Sequence, residues 1–157
     1  MRRFGSIFPF LESGHRDRHI GRLVANHDFV KAVLRYGDFD EFVFSNSSTS
    51  NLRMFREAVA GWDLPGNRID RVRCVSYAEL PGALGRDDFE VFHLGGWGWF
   101  MSGLHYIRSR YAKYPWPITA VTHSLNGRDV VDHAVRLSHA QLAAHDAIFC
   151  TSRDGRE

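Results

Sequence analysis

The chain has 157 residues, 44% of them hydrophobic and 13% aromatic, and a formal net charge of +2. That length and apolar content suit one domain with a core of its own, and the charge is too small to argue for a nucleic-acid partner. Cys74 and Cys150 show no paired spacing, so neither a zinc knot nor a disulfide framework is expected; both read as buried free thiols of a reducing compartment.

The opening MRRFGSIFPFLESG is too short for a membrane span and lacks a signal-cleavage pattern. Phe4 to Leu11 reads as a first strand interrupted by Pro9, and the protein is expected to be cytoplasmic. A polar loop, Glu12 to His19, follows. Leu23, Val24, Val30, Val33 and Leu34 then predict a helix stopped at Gly37. Phe42 to Phe44 make a second strand, and Leu52, Phe55, Val59 and Trp62 a second helix. Val72, Cys74 and Val75 predict a third strand, with a short helix or turn over Glu79 to Leu84.

Phe89, Val91, Phe92 and Leu94 suit a buried fourth strand, broken by Gly95, Gly96 and Gly98 because glycine accepts backbone angles closed to other residues. Phe100, Leu104, Ile107 and Tyr111 recur at helical spacing and predict the next inner face. Ile118, Ala120 and Val121 open a fifth strand. Asn126 can cap a helix, with Asp129 three positions on, whose inner face would be Val130, Val131, Ala134, Val135, Ser138 and Leu142. Ala147 to Cys150 supply a sixth strand.

Six short strands alternating with helices predict an α/β fold, a three-layer, doubly wound, Rossmann-like parallel sheet in a single domain over residues 1–157. Thr151 to Glu157 reads as a strand exit into a helix that does not follow. The expectation is therefore a fragment, or a chain completed by another, with apolar surface exposed at the last strand.

Ligands in such sheets bind beyond the carboxyl ends of the strands, where His93 and His123 fall. A histidine there can donate to a sugar hydroxyl, accept from one, or stabilise a phosphate when protonated; it can equally bond to its own loop backbone. Trp97, Trp99 and Phe100 cluster around the Gly96–Gly98 turn, where aromatic faces suit a sugar ring or an apolar acceptor, and Trp97, flanked by glycines, is expected near solvent. His27 reads as a core histidine, and His133, His139 and His145 as surface or packing residues. The first loop lacks both GxGxxG and GxxxxGK[ST], which argues against a nicotinamide dehydrogenase and a P-loop nucleotidase. Gly14 and His15 could still bring an anion to a helix N-terminus, or form only a solvated turn. His15 and His19 have no third ligand, so no metal site is expected. Ser124 stands outside any GxSxG elbow.

The series FEVFHLGG, PWPITAVTHSLN and HDAIFCTSRDGRE resembles the amino-terminal domain of family-4 glycosyltransferases, the retaining group with the two-domain GT-B fold. In that family the fourth strand ends in histidine, the fifth in hydrophobic-Thr-x-His, and the sixth runs from Asp to Ser; here these are Glu90 to His93, Val121 to His123 and Asp146 to Ser152. The resemblance implies one half of a GT-B fold that holds the acceptor. A donor-binding half would lie beyond Glu157, so residues 1–157 alone would transfer nothing. It implies metal-independent glycosyl transfer from a nucleotide sugar to an acceptor hydroxyl, with no cofactor besides that co-substrate. His123 matches the family's donor-contacting histidine and would be catalytic. Ser13, Gly14, His15, His93, Gly95, Gly96, Trp97, Ser124, Ser152 and Arg153 would bind substrate. Ser13-Gly14-His15 replaces the family's usual two or three glycines. The implied partners are a sugar or glycosylated acceptor and, if the acceptor is lipid-linked, a membrane surface. The alternative is a non-catalytic Rossmann-like or flavodoxin-like module that binds a ligand or partner.

Overall fold

The computed structural model describes residues 1–7, 21–98, 100–123, 129–140 and 142–151, and for Arg22 the helix but not the side chain. Phe8 to Leu11, Ser13, Gly14, His15, His19, Trp99, Ser124, Asn126, Ser152 and Arg153 therefore lie outside the described residues. Six strands form one sheet: β1 (Arg3–Ile7), β2 (Glu41–Asn46), β3 (Val72–Ser76), β4 (Val91–Leu94), β5 (Ile118–Thr122) and β6 (Ala147–Cys150). All neighbours are parallel, in the order β3-β2-β1-β4-β5-β6. This is the doubly wound Rossmann-like order, with its reversal between β1 and β4, and not the 2-1-3-4-5 order of flavodoxin-like sheets.

Two faces follow from the alternation of strand side chains. The register aligns Phe4 with Phe42 and Val91, and Ser6 with Phe44 and His93, which in turn meets Thr119. On this face α1 (Gly21–Tyr36) and α2 (Thr49–Ala60) pack Val30, Leu34, Phe55 and Val59 against Phe4, Phe42 and Phe44. The opposite face carries Val43, Phe92, Leu94, Ile118 and Ala120 under α3 (Leu80–Arg86) and α4 (Met101–Tyr111). The last helix, α5 (Val130–Ser138), adds Leu137 to that side. Burying one such phenylalanine or leucine side chain contributes about 1.5–3 kcal/mol, so the two layers of aromatic and aliphatic groups dominate stability.

Gly5 sits in the middle of β1 for want of space. A Cβ there would lie 2.3 Å from Cδ2 of Phe92, its neighbour across the β1–β4 seam. The Phe92 ring stacks on Trp116 at 5.5 Å and meets Phe89 edge-on at 5.2 Å. Phe89 thus belongs to the core but precedes β4, which begins two residues later than the apolar run suggests.

Two predicted helix faces hold only in part. In α4 Leu104 is buried and Phe100 and Ile107 pack against the core as periodicity predicts, while Tyr111 is half exposed and Met101, His105 and Arg108 are buried as well. Arg108 is buried as half of an ion pair. Arg108 forms a fork with Asp146, Nη1 to Oδ1 at 2.6 Å and Nη2 to Oδ2 at 2.8 Å, and donates to the Trp116 carbonyl at 2.7 Å. Asp146 also accepts from the backbone N–H groups of Ile118 and Ala143. Burial alone would raise the Asp146 carboxyl, but these donors together hold it below the usual carboxylate range. The fork thus buries Arg108 one turn beyond Leu104 on the same side of α4.

In α5, Val131 and Val135 are 69% and 52% exposed, and Leu142, beyond the helix end, 53%. The side turned to the protein carries Val130, His133 and Leu137, each partly buried. Asp129 precedes α5 without a side-chain capping bond. At the outer edge of the sheet Phe149 of β6 is 56% exposed on the α1 side, in register with Val121. Neither Cys74 nor Cys150 is in a disulfide and both are partly buried, and among the described residues no helix is long and apolar enough to cross a membrane.

Removing one partner of a buried, hydrogen-bonded charge pair leaves the other uncompensated. Asp146→Ala is expected to lower the unfolding free energy by about 3–5 kcal/mol in urea denaturation; a loss under about 1 kcal/mol would mean the fork behaves as a surface pair.

Candidate functional site

Parallel strands bring all carboxyl ends to one rim, and the sequence places Gly95 and Gly96 directly after β4 and His123 directly after β5. The two histidines do end on neighbouring strands, and lie near enough for the charge of His123 to act on His93. Their settings differ.

His93 is buried, 6% exposed, on the α1 face of the sheet and not open to the crevice. Strand alternation explains this: at position 93 the side chain follows Val91 and Ser6 beneath the helix. Its Nδ1 pairs with Oγ1 of Thr119 at 2.9 Å, and the Phe29 ring of α1 lies over the imidazole with centroids 4.4 Å apart. Ser6 Oγ donates to the His93 carbonyl at 2.6 Å across the seam where the sheet reverses. Burial first, and the charge of His123 second, push the His93 imidazole down to about 4. His93 is neutral at physiological pH and acts as a wedge beneath the rim.

His123 is only partly buried. Its Nε2 meets Oδ1 of Asn26 at 3.2 Å, and Nδ2 of the same amide donates to the Gly95 carbonyl at 3.0 Å. Asn26 is itself 6% exposed, one turn of α1 from Phe29. One helix therefore reaches the β4 turn and both histidines.

The glycines of the turn earn their place differently from expectation. Among the described residues only Gly66 has a positive φ, at 62°. At Gly95 the reason is contact: a Cβ would stand 2.4 Å from Nδ2 and 2.6 Å from Cγ of Asn26. Gly96 has open space where its Cβ would be. Trp97 is half buried against the α3–α4 core, edge-on to His133 at 6.1 Å, and so stands less open than expected. His133 is a packing residue, as its lack of pattern suggested, and His27 is partly buried against Trp62 at 5.0 Å.

The structure thus joins His93, Gly95 and His123 through α1, while Gly96 and Trp97 follow in the same turn, with Trp97 packed on the α3–α4 side. Ser13, Gly14, His15, Ser124, Ser152 and Arg153 lie outside the described residues. Among the described residues no three His, Cys, Asp or Glu side chains are grouped to hold a metal. Asn26, Phe29 and Thr119 complete the arrangement and escaped sequence reasoning. Asn26 carried a usable signal: it stands four residues before Val30 and eight before Leu34, a polar group in an apolar stripe that demands a partner. Among the described residues the rim offers a partly buried imidazole hydrogen-bonded to Asn26 and a backbone turn with open space at Gly96. Comparison with models of known protein families, with curated proteins and with solved structures gives no match for this chain.

Because the His93 value lies below the ordinary 6.5, the folded protein binds fewer protons than the unfolded chain between about pH 6.5 and 4. Stability from this group is complete above that window and is lost as pH falls through it. Wild type should lose on the order of 3 kcal/mol on this account between pH 7 and 4, and His93→Gln should show a flatter profile in chemical denaturation. Equal slopes in the two proteins would show that His93 is not buried neutral.

Proposed function

We propose that this chain is the acceptor-side half of a retaining, nucleotide-sugar-dependent glycosyltransferase, with the donor-binding half supplied by further chain or by another one. The observation that carries the reading is His123: an accessible imidazole at the carboxyl end of β5, beside the β4 turn and held by Asn26. The doubly wound order supports it, since the family resemblance requires a Rossmann-like half. The order of motifs on β4, β5 and β6 supports it too.

In this reading His123 contacts the donor sugar as the bond to the leaving diphosphate lengthens, and an acceptor hydroxyl enters from the same face. Negative charge on the diphosphate is neutralised by preorganised donors, mostly those of the donor half. His93 does not touch substrate; it supports the rim from below as a neutral group. The half-buried Trp97 and the open turn at Gly96 shape the acceptor side. A cytoplasmic location, and membrane contact through a lipid-linked acceptor, belong to the same proposal.

The test uses the transferase carrying both halves. His123→Ala should lower kcat by about 100-fold or more while leaving the circular dichroism and melting of the protein unchanged. Wild-type turnover in that variant would reject the assignment, as would the absence of hydrolysis of every nucleotide sugar in a donor panel.

A further inference from the structure

Asn26 is a buried amide with two commitments. Its Nδ2 can only donate and gives its hydrogen bond to the Gly95 carbonyl at 3.0 Å. Its Oδ1 can only accept and faces Nε2 of His123 at 3.2 Å. The amide cannot turn over without setting its NH2 group against His123 and its oxygen against the carbonyl of Gly95. The absence of a side chain at Gly95 is what lets the amide lie there, since a Cβ would come within 2.4 to 2.8 Å of its atoms.

We propose that Asn26 is a positioning residue that fixes the tautomer of His123. With Oδ1 as the acceptor, the proton of the neutral imidazole resides on Nε2, and Nδ1 is the nitrogen that keeps its lone pair. The Gly95 bond fixes the amide and the amide fixes the ring, so α1, the β4 turn and the β5 histidine form one unit. The tautomer assignment does not rest on the glycosyltransferase reading.

The decisive measurement is the ring nitrogen spectrum of His123 in 15N-labelled protein at neutral pH. Wild type should show the Nε2–H form as the majority. Asn26→Ala, checked for native spectral dispersion, should raise the Nδ1–H to Nε2–H ratio by about two- to tenfold, the range one net hydrogen bond commands. Asn26→Asp keeps an acceptor facing the ring and should keep the Nε2–H form, although it can no longer donate to Gly95. An Nδ1–H majority in wild type, or an unchanged ratio in Asn26→Ala, would overturn the proposal. Should Asn26→Ala fail to fold, Asn26→Asp decides alone, and an Nδ1–H majority in it would count as refutation. In the two-domain transferase, Asn26→Ala should lower kcat more than Asn26→Asp does. If the wild-type enzyme transfers no sugar, the glycosyltransferase reading falls while the nitrogen spectra still judge Asn26.

Discussion

The handedness of a parallel crossover is the constraint from which the rest of this molecule follows. A strand, a helix and a parallel strand close in one hand only, so a chain that winds outward from β1 to β3 and then returns to β4 must send its later helices to the other face of the sheet. That places α1 and α2 on one side and α3, α4 and α5 on the other. It also leaves α1 lying over the seam where the winding reverses. Asn26 and Phe29 meet the two histidines because α1 is the helix this topology sets beside the ends of β4 and β5.

The two rims of the sheet are built from different chemistry. Near the amino ends of the strands, Arg3, Arg73, Glu41 and Asp87 alternate in one chain of ion pairs, and the Arg108–Asp146 fork ties α4 to the entry of β6. Burial alone would raise the Glu41 carboxyl, but hydrogen bonds from Arg73 and Arg3 bring it below the usual range. Among the described residues, the polar contacts at the carboxyl ends of β4 and β5 are made by an amide, two imidazoles, a threonine and a serine.

Much of the architecture was legible because parallel strands and their helices announce themselves through apolar periodicity and glycine punctuation. Strand content, helix order and the rim positions of His93 and His123 all came from that signal. What stayed hidden depended on pairing across long separations. Arg108 and Asp146 are thirty-eight residues apart, and nothing local says that a charged residue in α4 will be turned inward. Asp146 entered the reading as the first letter of a motif, while its work is to hold β5, α4 and the segment before β6 together. The inward turn of His93 was available from strand alternation but was masked by its place at the strand end. α5 misled for the opposite reason: its apolar periodicity is real, yet Val131 and Val135 face outward.

Gly5 carries a consequence beyond its own strand. The benzyl group of Phe92 occupies the volume that any larger residue at position 5 would claim, directly on the line where the two halves of the sheet join. A methyl in its stead would have to displace that ring together with the Phe89 and Trp116 rings packed on it, so the aromatic joinery across the line depends on a residue whose side chain is a single hydrogen atom.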